Sequence, residues 1–114
     1  MKLAPFISSQ RAFSRKTFGP NYDVQRITAH IRKELVEIEE CGELEEWVDV
    51  ILLAFDGAWR SGATPEHICL ALQRKLDVNK KRKWPDWRTH AEGEPIEHTK
   101  ETDNGSEHTE RPRS

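Results

Sequence analysis

Two apolar helical stripes meeting at a break constrain this chain more than any other feature. Val24, Ile27, Ile31, Leu35 and Ile38 recur at steps of three and four, the repeat of one helix face. Asp23 is suited to cap that helix, which should run to about Glu40 before Cys41 and Gly42 interrupt it. A second helix, from about Glu43 to Arg60, contains the apolar run "EWVDVILLAFDGAW" (Glu46–Trp59). Two helices joined by so short a break form an antiparallel hairpin. "SGATPE" then closes one helix and opens another, with Gly62 as C-cap, Thr64 as N-cap and Pro65 in the first turn. This third helix should reach about Lys83, where "WPDW" (Trp84–Trp87) ends it. No stretch alternates as a strand would, so the expected class is all-α.

The flanks carry less pattern. Residues 1–22 read as an N-terminal arm with a short helix near Ser9–Phe13 and a turn at "FGPN" (Phe18–Asn21). Residues 23–90 form the expected helical domain. Residues 91–114 hold seven acids and three bases, a net of −4, and are read as a largely disordered tail with "PIEH" (Pro95–His98) as a docking point. The preceding residues have a net charge of +2, too small for the basic field that duplex nucleic acid selects. "KKRK" (Lys80–Lys83) ends a helix without a wider basic face, so direct nucleic-acid binding is not expected. Cys41 and Cys69 are not spaced as a zinc pair and read as reduced thiols of a cytoplasmic protein. No apolar run approaches the roughly 18 residues of a membrane span.

The acids of the hairpin raise the chemical question. Glu34 and Glu37 lie about 60° apart on the first helix, flanking its stripe. Glu46 and Asp49 repeat the spacing on the second. Glu37 and Glu46 lie equally far from the Cys41–Gly42 break, as do Glu34 and Asp49. In an antiparallel hairpin four carboxylates would therefore line one groove, and a hard divalent cation is the partner that such oxygens accept. Acid pairs one turn apart are also common on solvated faces, but Glu46 and Asp49 sit among Trp47, Val48, Val50 and Ile51. Asp56 either supports the acids from behind or pairs with Arg60 at i,i+4. On the third helix a stripe that begins with Ile68 and Leu72 continues as Lys75, Asn79 and Arg82. These either snorkel at an ordinary helix end or meet phosphate oxygens.

These segments together resemble a known superfamily. "ELVE" (Glu34–Glu37), "EWVD" (Glu46–Asp49) and "KLDVNKKR" (Lys75–Arg82) match in order the E-x-x-E, E-x-x-D and K-x-x-x-N-x-x-R pattern of the MazG-like all-α nucleoside triphosphate pyrophosphohydrolases. "RKTFGP", "HIRKELVEIE" and "KRKWPDWR" narrow the likeness to the phage dATP/dGTP diphosphohydrolase branch, the MazZ-like enzymes. The resemblance implies hydrolysis of a purine deoxynucleoside triphosphate to its monophosphate and pyrophosphate. It implies two or three Mg²⁺ or Mn²⁺ ions per site on Glu34, Glu37, Glu46 and Asp49, with Lys75, Asn79 and Arg82 on the phosphates. It implies a homodimer or a dimer of dimers, and, in phages with 2-aminoadenine DNA, a role in shaping the dNTP pool. Phe18, Trp47, Trp84 and Trp87, with His30, are candidates for contacting the base, each with core or interface packing as its alternative. Two further readings compete: a pyrimidine-directed relative acting on dUTP or dCTP, and a non-catalytic helical adaptor.

Overall fold

The computed structural model describes residues 1–100, and these contain four α-helices, one short 3₁₀ turn and no strand. The helices are α1 (Leu3–Phe18), α2 (Val24–Cys41), α3 (Leu44–Arg60) and α4 (Pro65–Lys81), and the 3₁₀ turn is Trp87–Thr89. The all-α class is as expected. Two compact units are distinguishable, one of residues 1–74 and one beginning at Lys75. Residues 101–114, which hold most of the expected tail, lie outside the described residues.

In the first unit α2 and α3 form the hairpin, and α1 packs on α3. Asp23 caps α2 by accepting from the Arg26 N–H at 3.0 Å. Gly42 accepts the turn because it has no side chain: a Cβ there would stand 2.7 Å from the Ile38 carbonyl oxygen. Glu43 then opens α3 with a capping box, in which Glu46 Oε1 accepts from the Glu43 N–H at 2.8 Å. Thr64 caps α4 through the His67 N–H.

The N-terminal segment departs from expectation. Where a short helix inside an arm was expected, α1 runs for 16 residues. Pro5 falls in its first turn, where a missing N–H costs little. The inward face of α1 is half polar: Ile7 and Ser14 are its buried residues, and Gln10 lies between them on the same side. A hydropathy pattern does not register such a face, because hydrogen bonds to α3 replace part of the apolar burial. Gly19 ends α1 at φ +90°, a conformation that favours glycine.

The core is small. Ile7, Trp59 and Ile68 are buried, and Leu3, Phe55, Ala58 and Cys69 pack against them. The apolar stripe of α3 is covered over its C-terminal half, at Phe55, Ala58 and Trp59. It stays open over its N-terminal half, where Leu44, Trp47, Val48 and Ile51 are 73, 53, 39 and 51 % exposed.

In the second unit the Trp84 indole N–H donates to the Asn79 carbonyl at 2.7 Å, and its ring meets His98 edge-on at 5.8 Å. The Thr99 N–H donates to the Lys83 carbonyl. The segment around His98 thus lies against Lys83 and Trp84, just after α4. Asp86 holds Arg88 through both carboxylate oxygens, which keeps the Asp86 carboxyl below the usual carboxylate range.

Candidate active site

A groove runs among α1, α2 and α3. One compartment, of about 240 Å³, has Gln10, Glu34 and Asp49 in its walls, between Phe13 and Leu52. The other, of about 200 Å³, is lined by Asn21, Asp23, Arg26 and Ile27. Phe18, His30, Leu53 and Asp56 belong to both.

Among the described residues, Glu34 is the buried acid. It is 7 % exposed, and its Oε1 is buried without a hydrogen-bond partner. Its Oε2 lies 3.7 Å from His30 Nε2. Burial raises the Glu34 pKa above the usual carboxylate value, and the negative charges of Glu37 and Asp49 raise it further; His30 and Lys33 oppose them. Glu37 and Asp49 therefore lie within electrostatic reach of Glu34, with Glu34 and Asp49 on opposite helices facing one cavity. Glu37 and Glu46 are half-buried, and one oxygen of Glu46 is spent on its own helix cap. Among the described residues no three acid, histidine or cysteine side chains are already closed around a single point.

This donor set fits a hard cation. An orphaned buried carboxylate oxygen costs free energy, and a raised pKa records that the charge lacks compensation. A divalent ion accepts oxygen ligands of this kind and would remove both penalties.

Asp56 does not take Arg60 as its direct partner. Its carboxylate accepts from Gln10 Nε2 at 2.9 Å, Ser14 Oγ at 3.0 Å and Trp59 Nε1 at 2.9 Å. Arg60 reaches it only through Ser14, donating to Ser14 Oγ at 3.0 Å. The guanidinium also donates to the Gly19 and Asn21 carbonyls, at 2.6 and 2.8 Å, pinning the loop after α1 to the end of α3. Asp56 thus anchors α1 from the wall of the groove, and Gln10 and Ser14 are groove-lining residues that the sequence reading missed. Their only signal is an i,i+4 spacing that continues the line of Ile7, on a helix of which only a short stretch was expected.

Of the base candidates, Phe18 and His30 line both compartments, whereas Trp47 is not among the walls. Trp84, Lys75, Asn79 and Arg82 belong to the second unit. There Arg82 donates to the Asn79 side-chain oxygen at 3.3 Å, so two members of the row stand side by side.

An all-helical chain with an acid-lined groove and a Lys–Asn–Arg row has the features of a nucleoside triphosphate pyrophosphohydrolase, and comparison with known proteins agrees. The chain belongs to the dATP/dGTP pyrophosphohydrolase family, whose model matches residues 6–104. The Eaa protein of Salmonella phage P22 is 41 % identical over 56 residues, which are 49 % of this chain and 17 % of that protein. The chain thus spans a small part of that relative's length. No solved structure matches. No helix among the described residues is long and apolar enough to cross a membrane.

Proposed function

We propose that the protein hydrolyses dATP and dGTP to the monophosphate and pyrophosphate, using two or three Mg²⁺ or Mn²⁺ ions held by Glu34, Glu37, Glu46 and Asp49. The observation that carries this reading is the buried, unpartnered Glu34 oxygen in a groove shared with Asp49. When bound, such ions polarise the phosphoryl group and lower the pKa of water. The carboxylates contribute the oxygens that collect the ions, and one of them takes the proton of the attacking water. Lys75, Asn79 and Arg82 bind the β- and γ-phosphates, so that pyrophosphate leaves as a unit. Their row extends roughly 10 Å along a helix, enough for more than one phosphate.

The open half of the α3 stripe supports a homodimer or a dimer of dimers, since one chain leaves Leu44, Trp47, Val48 and Ile51 uncovered. The phage relative supports a phage setting in the host cytoplasm, where depletion of dATP and supply of dGMP would serve DNA containing 2-aminoadenine. Anion-exchange analysis of products from dATP, dGTP, dCTP, dTTP and dUTP, with and without Mg²⁺, tests the reading. Purine monophosphate and pyrophosphate should form only with metal. Preferential turnover of dUTP or dCTP would replace it with the pyrimidine-directed alternative, and no turnover at all would favour the adaptor.

A further inference from the structure

Arg60 spends its guanidinium on the end of α1 and the loop after it. Nη1 donates to the Gly19 and Asn21 carbonyls at 2.6 and 2.8 Å, and Nη2 to the Ser14 carbonyl and hydroxyl at 3.4 and 3.0 Å. All of these acceptors are neutral, so the planar fork of donors serves geometry here and not ion pairing. Ser14 lies one turn before Phe18 and Gly19 directly after it, so the tether grips the backbone on both sides of that residue. Arg60 is itself held. Its guanidinium lies 4.3 Å from the centre of the Trp59 ring, and the Trp59 indole N–H donates to Asp56 at 2.9 Å. A chain of contacts thus runs from Asp56 and Trp59 on α3 to the backbone around Phe18.

Phe18 offers an open aromatic surface. It is 63 % exposed although it stands in the walls of both compartments. Phe13 meets it edge-to-face at 6.3 Å, an arrangement that occupies at most one face of the ring. Under the proposed function the phosphates gather where Glu34 and Asp49 face the groove, and the nucleoside extends away from them. Phe18 is shared by that compartment and the adjoining one, whose other walls mix apolar Ile27 and Leu53 with polar groups such as Asn21, Arg26 and His30. A purine has the same mixed character, apolar on its faces and polar at its edges. We infer that Arg60 is a positioning residue for base binding: by tethering the backbone on both sides of Phe18, it holds that ring as a platform for the face of the purine. The inference rests on the proposed function and deepens it.

Arg60→Lys keeps the charge and loses the fork, and tests the inference. Its KM for dATP should rise roughly tenfold, the scale of one hydrogen bond to a charged group, with kcat within about twofold of wild type. The inhibition constant of 2′-deoxyribose 5′-triphosphate, which lacks a base, should change less than about twofold. An equal loss on both compounds, or a loss confined to kcat, shows that Arg60 only steadies the fold and overturns the inference. An unchanged KM for dATP overturns it as well. Phe18→Leu removes the aromatic face, and in that background Arg60→Lys should raise the KM for dATP less than about twofold further; a full tenfold effect there contradicts the inference. Wild type gives a measurement independent of how any variant folds, because coupling between tether and base is reciprocal. The Arg60 guanidinium N–H groups, followed by NMR, should exchange with water more slowly when dAMP is added at concentrations that inhibit turnover. They should be unchanged by 2′-deoxyribose 5′-phosphate at its own inhibitory concentration. No slowing with dAMP, or equal slowing with both, overturns the inference. A wild type inactive on every purine dNTP would remove the proposed function itself, and this assignment with it.

Discussion

Glu34 is held in the fold at a cost, and that cost can be measured. Burial, with Glu37 and Asp49 nearby, raises its pKa above the value it has in the unfolded chain. The folded state therefore holds the Glu34 proton more tightly than the unfolded state does. The associated stability is fully present below the ordinary carboxylate pKa and is lost as pH rises through the raised one. In chelator, the melting temperature of wild type should fall across that window, and Glu34→Gln should flatten the fall while abolishing turnover. An identical pH profile for both proteins would show that the Glu34 charge is already compensated. Asp49 faces the same cavity from α3. Asp49→Asn should reduce metal-dependent turnover by about 100-fold or more, the scale of losing one charged catalytic group, with fold and oligomeric state retained. Near-wild-type rates at limiting Mg²⁺ would remove Asp49 from the cluster.

At the scale of elements, the hairpin turn sets which acids can meet. Gly42→Ala would drive a Cβ to 2.7 Å from the Ile38 carbonyl, a backbone atom that cannot move without disturbing the end of α2. The expected loss is about 1–3 kcal/mol, seen as a melting temperature lower by several degrees and as weaker turnover. An unchanged melting temperature would show that the turn has room to spare. The hairpin was legible in the sequence for physical reasons. Its stripes are continuous, its breaks are chemical, and Asp23 and Thr64 cap helices where a side-chain oxygen can take an N–H. That Glu34 and Asp49 face one cavity agrees with counting outward from the break between Cys41 and Gly42. Only the Ser9–Phe13 part of α1 was legible, because Gln10 and Ser14 are held inward by Asp56, and a hydrogen bond across 42 or 46 positions leaves no periodic trace. The same blindness hid the true partner of Arg60. An i,i+4 rule places Arg60 on Asp56, but carbonyls of the loop after α1 and the Ser14 hydroxyl offer the guanidinium more acceptors.

At the scale of the molecule, three buried apolar side chains among the described residues make a small core beside an open stripe on α3. Ile51→Asp would put a charge into the face that a second copy is proposed to cover. Light scattering should then show smaller particles, and an unchanged mass would place the subunit contact elsewhere. The family match ends at residue 104, and the ten residues after it contain no large apolar side chain. A chain ending at Asn104 should keep its turnover and its melting temperature; a large loss of either would show that those residues join the working assembly. The central claim, that acids and cations together direct water to the α-phosphorus of a purine deoxynucleoside triphosphate, is tested most directly by hydrolysis of dATP and dGTP with Mg²⁺ in ¹⁸O-labelled water. The label should appear in the nucleoside monophosphate and be absent from pyrophosphate. Label in pyrophosphate, or release of orthophosphate with a nucleoside diphosphate, would contradict it.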